Sequence, residues 1–174
     1  MNKKVLYGIL LLFVIVDIQA QKQNHSFCLT SNNAIIPIYK NRISYKPFGT
    51  IMNDTISDIY PIISPIKQSS SRFYAKIEYG ALSSEDMPYI YCWIEKKYCG
   101  VYMCLLHEMK NYALLYEKPN EMSACIQLTE VPFSPVIVLD YKSEWLKVKF
   151  SLNGIRYVGW TKDYGENFFC PCGG

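Results

Sequence analysis

The sequence predicts an all-β protein, on three observations. Its apolar residues fall in short runs rich in β-branched and aromatic side chains, divided by turn-forming clusters. No segment carries a sustained stripe at helical spacing. The stretch "SEWLKVKFSLNGIRYVGW" (143–160) alternates on both sides of Asn153-Gly154, a two-residue turn that accepts positive φ at both central positions.

The elements follow in chain order. Residues 1–20 are expected to be a secretory signal peptide. Lys3 and Lys4 precede an apolar run (5–16), and small Ala20 stands just before "QKQNH". The run is shorter than the roughly 20 residues that span a bilayer, although an uncleaved anchor is the competing reading. No second long apolar run follows, so no membrane span is expected after cleavage. Residues 21–28 form the start of the mature chain, with His25 in a segment expected to be mobile. Strands are expected at "NAIIPIY", "DIYPIISPI", "RFYAKIEY", "MPYIYCWI", "YALLYE", "PVIVLDY", "WLKVKF" and "IRYVGW". Pro37, Pro61 and Pro65 sit in or beside such runs and mark edges or bulges. "VYMCLLHEMKNYALLYE" reads equally as a helix or as strand, turn and strand.

The Asn-Gly turn fixes a register. Leu152 should face Ile155, Phe150 should face Tyr157 and Val148 should face Gly159, on a core face shared with Leu146. Lys147 should lie across from Trp160, on the opposite face, with its stem over the ring. A lone hairpin is marginal, so "PVIVLDYKSEW" is expected to add a third strand through a turn at Lys142 to Glu144.

The formal net charge is +3, and removing Lys3, Lys4 and Asp17 with the leader lowers it by one. So mild a charge, with no basic run, gives no reason to expect nucleic acid as a partner. Fifteen tyrosines and eight phenylalanines favour strands and recognition surfaces instead. All seven cysteines (Cys28, Cys92, Cys99, Cys104, Cys125, Cys170 and Cys172) follow the leader, and in an exported chain their first reading is disulfides. An odd count leaves at least one thiol unpaired within the chain. Cys170 and Cys172 would close a strained ring on themselves, so a bond to a distant cysteine that pins the tail is favoured.

The first half repeats the landmarks of the second. "IPIYKN" parallels "ALLYEKPN", "DIYPIISPI" parallels "PVIVLDY", and "SRFYAKIEYG" parallels "SEWLKVKFSL" with Phe73 in the place of Trp145. "YIYCWIEKKYCG" parallels "RYVGWTKDYG", with Cys92-Trp93 matching Gly159-Trp160. The copies run over 29–106 and 107–169, with a cysteine-bearing tail at 170–174.

A strand ending in Ile-Tyr or Leu-Tyr, a β-branched strand, "W-x-K-V", a glycine turn and Gly-Trp resembles, in that order, the bacterial Src-homology-3-like (SH3-like) domain. The second copy carries the pattern through Tyr116, 136–139, Trp145, Lys147, Val148, Asn153-Gly154 and Gly159-Trp160. The first departs from it at Phe73, at Cys92 and in the longer loop "YGALSSEDMP". The tail "NFFCPCGG" is similar to that of exported tandem versions in Gram-negative bacteria. The resemblance implies two small, bent, five-stranded barrels that bind cell-wall peptides or partner proteins and catalyse nothing, in the periplasm or outside the cell.

Candidate sites are few. Cys104 and His107 are three residues apart and form a candidate pair of nucleophile and base, but a cysteine between "VYM" and "LL" suits a buried or bonded role better. No metal spacing, phosphate loop or nucleophile elbow occurs, so neither metal nor cofactor is expected. Thiol exchange at Cys170 and Cys172 competes with structural pinning. "NHS" at Asn24 and "NDT" at Asn53 match glycosylation acceptors, which matter only in a eukaryotic secretory pathway. The candidate ligand-binding residues are Tyr116, Asp140, Tyr141, Glu144, Trp145 and Trp160. Rigid rings would line a groove for an extended peptide, and Asp140 and Glu144 would supply a polar rim for an amine or arginine. Trp145 and Tyr157 read at the same time as core residues. Three function classes remain: a module that recognises a cell-envelope peptide or protein, a structural or inhibitory partner joined through a cysteine, and a thiol-dependent enzyme. The first leads.

Overall fold

The computed structural model describes residues 25–30, 35–51, 60–80, 89–107 and 110–165. Residues 1–24, Asn53, Cys170, Cys172 and the remaining tail lie outside these residues, as does the side chain of His107. In chain order the strands are β1 (Cys28–Leu29), β2 (Ile36–Tyr39), β3 (Gly49–Ile51), β4 (Tyr60–Gln68), β5 (Arg72–Gly80) and β6 (Tyr89–Glu95). A 3₁₀ turn (Lys96–Tyr98) leads into β7 (Cys99–Met103), followed by the small hairpin of β8 (Leu106–His107) and β9 (Lys110–Asn111). Then come β10 (Ala113–Tyr116), β11 (Cys125–Leu128), β12 (Val136–Lys142), β13 (Trp145–Leu152), β14 (Ile155–Thr161) and β15 (Tyr164–Gly165).

The protein is all-β: no α-helix occurs among the described residues. Each of the eight expected runs holds a strand, namely β2, β4, β5, β6, β10, β12, β13 and β14. The ambiguous stretch from Val101 to Glu117 resolves into strands, because the alternate residues Cys99, Val101 and Met103 of β7 are buried together.

One sheet has the order β3-β2-β6-β5-β4. The other has the order β1-β7-β12-β13-β14-β10-β11, with β15 added on β7. This corrects the expectation of two five-stranded barrels, since neither sheet closes into a barrel. The cause is β7. After the 3₁₀ turn the chain leaves the first sheet, and β7 pairs with β12, β1 and β15 in the second.

The meander of the second half has the register set by its turn. Leu152 faces Ile155, Phe150 faces Tyr157, Val148 faces Gly159 and Lys147 faces Trp160. Asn153 and Gly154 have φ of 52° and 79°, the left-handed values that a two-residue hairpin turn demands. β12 joins as the third strand, with Val138 opposite Val148 and Lys142 opposite Trp145. β4 is an edge strand whose ladder shifts between Pro65 and Lys67, so its prolines sit where a missing N–H does least harm.

The two meanders correspond in register. Tyr39 of β2 stands opposite Trp93 of β6, as Tyr116 of β10 stands opposite Trp160 of β14. Ala75 faces Cys92 where Val148 faces Gly159. Phe73 faces Ile94 where Leu146 faces Thr161, so Phe73 matches Leu146, and Arg72 takes the position of Trp145. Arg72, and not Phe73 as expected from the repeat, is thus the counterpart of Trp145.

A single buried cluster runs through both sheets. Ile63, Phe73, Ile77 and Ile94 on one side meet Val101, Val136, Val138, Leu146 and Val148 on the other. The segment before β1 sews them together. Phe27 exchanges two 2.8 Å backbone hydrogen bonds with Ile63 of β4, while Cys28 and Leu29 pair with β7. Lys96 adds a second tie: its buried ammonium donates to the Leu139 carbonyl at 2.7 Å and to Gln68 Oε1 at 3.2 Å, and lies 4.9 Å from the Phe73 ring centroid. Burial pushes its pKa down, and Asp140 opposes that shift.

Candidate functional site

Alternation along β13 and β14 sends Val148, Phe150 and Gly159 to the core and leaves Trp145, Lys147, Val158 and Trp160 on the outer face. β10 then crosses beside β14 and adds Tyr116 to that face. Tyr116, Trp145 and Trp160 form a second buried cluster, apart from the main core, with Leu114 against it. The Tyr116 and Trp145 rings meet edge to face, 5.1 Å apart at 88°. Close approach requires Gly159: a Cβ there would lie 2.5 Å from Leu115 Cγ and 2.9 Å from the Tyr116 carbonyl oxygen.

Two lysines cover the rings. Lys147 Nζ lies 5.9 Å from the Trp160 ring centroid, as its cross-strand position requires, and Lys162 Nζ lies 4.7 Å from that of Trp145. Lys162 donates to Glu121 Oε1 at 2.6 Å and pairs also with Glu144. These hydrogen bonds, Glu121 first, raise its pKa. Buried Asp163 fixes the segment in place: its Oδ2 accepts from the Leu114 N–H at 2.6 Å, and its own N–H donates to Thr161 Oγ1 at 2.9 Å. The result is a patch of three aromatic residues only 6–9% exposed, with Lys147 over Trp160 and, over Trp145, the Lys162 ammonium held between two carboxylates. Burial raises the Tyr116 pKa, and the nearby Glu121 and Asp163 raise it further against the opposing charge of Lys162.

The six candidate ligand-binding residues therefore divide. Tyr116, Glu144, Trp145 and Trp160 share this patch, whereas Tyr141 points to the core face. Its ring lies 5.8 Å from Phe73 and 5.4 Å from His25. Asp140 turns back on the chain, and its Oδ1 accepts from the Tyr141 N–H at 2.8 Å. His25 is only 4% exposed and far from mobile: Nε2 is 2.6 Å from the Ser143 carbonyl and Nδ1 is 3.1 Å from the Tyr164 hydroxyl. Tyr157 is half-buried and stacks on Phe150 with centroids 5.2 Å apart.

Cys28, Cys92, Cys99 and Cys125 are free thiols among the described residues, while Cys170 and Cys172, the expected partners of a distant cysteine, lie outside them. Cys28 stands opposite Gly100 and Cys99 opposite Leu29, so Cys28 and Cys99 leave opposite faces of the β1–β7 ladder and cannot be bridged to each other. Burial pushes the thiols of Cys28 and Cys92 up to about 12, and that of Cys99 well above its ordinary value. Such groups remain protonated and act as small apolar side chains. Cys104 is half-buried, and its N–H donates to the Asp163 carbonyl at 3.0 Å. Among the described residues no three His, Cys, Asp or Glu groups are placed to hold a metal ion, and no helix is long and apolar enough to cross a membrane.

Sequence reasoning missed the counterpart of this patch in the first sheet. There the Arg72 guanidinium lies 3.6 Å from the Tyr39 ring centroid, in the register position of Trp145. Its Nη1 donates to the carbonyls of Asn41, Arg42 and Ser44 at 3.3, 3.1 and 2.9 Å. Tyr39 donates to Glu95 Oε1 at 2.9 Å, and Lys97 pairs with Glu95 at 2.7 Å. A cation of the chain itself thus occupies the aromatic surface, and the first-half patch serves to hold the loop at 41–48. The alternation of "YIYCWIE" was the available signal, because it places Trp93 and Glu95 on one face. No family model, curated protein or solved structure matches this chain.

Proposed function

We propose that this protein is an exported, non-enzymatic binding module, built from two SH3-like units, that recognises a cell-envelope peptide or protein in the periplasm or outside the cell. Support for the tandem reading comes from the matched registers of the two meanders, Tyr39 with Trp93 and Tyr116 with Trp160. Support for export comes from the basic, apolar and small-residue order of residues 1–20.

The observation that carries the functional reading is the cap over Trp145. Lys162 lies on the ring between Glu121 and Glu144, so two carboxylates and an aromatic face already cradle one ammonium. An incoming amine or guanidinium that displaces Lys162 inherits the same cradle, with a net negative charge to receive it. Titration calorimetry with purified wall peptides bearing a free amine tests this. Replacing both acids, Glu121→Gln with Glu144→Gln, is expected to weaken binding about tenfold, ~1.4 kcal/mol, without unfolding the protein. Unchanged affinity in that variant, or no binding by the parent protein, overturns the reading.

One observation favours a second reading, a partner protein joined through a cysteine. Cys125 is an exposed thiol on β11, an edge strand of the larger sheet. A dimer on non-reducing gels that Cys125→Ser abolishes would establish it.

A further inference from the structure

The loop that Arg72 holds joins β2 to β3 over residues 40–48, "KNRISYKPF". Tyr45 is 98% exposed and Ile43 74%, and Phe48 is exposed as well. Lys40, Arg42 and Lys46 stand among these apolar side chains, all three in solvent. The sequence carries no Asp or Glu between Asp17 and Asp54. Among the described residues none of the three cations forms an ion pair, and Lys40 Nζ lies 5.8 Å from the Phe48 ring centroid. The main chain of the loop is meanwhile turned inward. The Asn41, Arg42 and Ser44 carbonyls accept from the Arg72 guanidinium. Asn41 Oδ1 accepts from the N–H groups of Ile43 and Ser44 at 3.2 and 2.8 Å. Ser44 Oγ donates to the Lys46 carbonyl at 2.9 Å, and the Phe48 N–H donates to the Ile38 carbonyl at 3.0 Å. Pro47 has no N–H to satisfy.

Three unpaired cations without an acid call for an anionic partner, and the rest of the loop selects its kind. A single-stranded nucleic acid is held by phosphate contacts and by bases stacked on rings, and Ile43 offers no ring. An acidic protein needs about 20–30 residues a side for a standard interface, far more than this loop supplies. A bilayer needs no shape complementarity. Isolated aliphatic side chains sink among its headgroups, tyrosine is enriched at that depth, and cations are drawn to an anionic leaflet. The backbone bonds favour the same partner. A polar main-chain group that enters a water-poor layer without a partner is costly, and here most of the groups at the tip already have one within the protein. The loop is also ordered before contact, so docking need not meet that cost.

We infer that the β2–β3 loop docks the protein on an anionic lipid surface, with Ile43 and Tyr45 entering the headgroup layer and Lys40, Arg42 and Lys46 facing lipid phosphates. The reading does not depend on the Trp145 patch. The probes are vesicles of phosphatidylcholine alone and of equal parts phosphatidylcholine and phosphatidylglycerol, mixed with the full chain. The apolar run at 5–16 has its own affinity for lipid, so a reporter on the loop is needed. Tyr45→Trp supplies it: beyond the parent's signal, its emission should shift to the blue and be quenched by brominated lipid, with the phosphatidylglycerol vesicles and far less with phosphatidylcholine. Adding Arg42→Gln and Lys46→Gln to that variant should raise the lipid concentration at half-shift at least tenfold at low salt, and added salt should weaken binding of the Tyr45→Trp protein more than theirs. In vesicle sedimentation Ile43→Ser with Tyr45→Ser should lose the affinity gained from phosphatidylglycerol and keep the parent's melting midpoint, since both side chains lie in solvent. Glu121→Gln with Glu144→Gln should dock as the parent does, so failure of the wall-peptide site can be told from failure of this one. Four results overturn the assignment: no loop signal with phosphatidylglycerol vesicles, the same signal without Arg42 and Lys46, a single-stranded oligonucleotide bound in preference to the vesicles, or a dimer of this chain that the double serine variant dissociates.

Discussion

Glu95 shows how one carboxylate orders its surroundings. It accepts from Tyr39 at 2.9 Å, pairs with Lys97 at 2.7 Å and faces the Arg72 guanidinium at 4.0 Å. The hydrogen bond from Lys97, then that from Tyr39, holds its pKa below the ordinary 4.5 although burial pushes the other way. A carboxyl whose pKa is lower in the folded state than in the unfolded chain adds stability above the unfolded value. That stability is lost as pH falls through the folded one. The urea midpoint of Glu95→Gln should therefore lie below that of the parent protein near neutral pH, and the gap should close as pH drops below 4.5. Lys97 is 60% exposed, so the gap is modest, about 1 kcal/mol or less. A gap that stays constant into acid would show that the Glu95 charge contributes nothing. None of this was legible in the sequence, where Arg72 and Glu95 stand far apart and only the register of β5 against β6 makes them neighbours.

Elements were legible where a period repeats often enough to be seen. The hairpin of β13 and β14 could be read pair by pair, because Asn153-Gly154 admits one turn and the turn admits one register. β1, β3, β8, β9 and β15 span only two or three residues each, too few for alternation to emerge from the sequence. Gly159 lies between these cases. Its place before Trp160 was readable, but the reason is β10, whose Leu115 and Tyr116 carbonyl approach it from the other side. Gly159→Ala is expected to destabilise the protein by about 1–3 kcal/mol, since the Tyr116 carbonyl is main chain and cannot move without disturbing its strand. Urea denaturation monitored by tryptophan fluorescence reads this directly, and a variant as stable as the parent would mean that β10 can shift away freely. The candidate patch follows the same logic. Trp145 and Trp160 were foreseeable from alternation, whereas Lys162 and Glu121 come from opposite ends of the second half and needed the fold to meet.

At the scale of the whole molecule the two halves do not stand alone. β7 follows the first meander in sequence but belongs to the second sheet, and the buried cluster is continuous across both. That exchange of a strand is what sequence repetition could not reveal, since a repeat predicts two copies and says nothing about which sheet a connecting strand joins. Phe27 sits at the crossing, fully buried and bonded to Ile63. Phe27→Ala should cost about 3–5 kcal/mol and lower the midpoint of one cooperative transition. Two separate transitions in calorimetry, with only one displaced, would instead mean that the sheets unfold independently. The clasp formed by Phe27, Cys28 and Leu29 also gives folding a last step. Its partners at Ile63, Cys99 and Gly100 are made much later in synthesis, so the leading end must wait and then swing in. Until that end swings in, the seam between the sheets stays unfastened, and the docking of residues 27–29 is the event that locks the molecule shut.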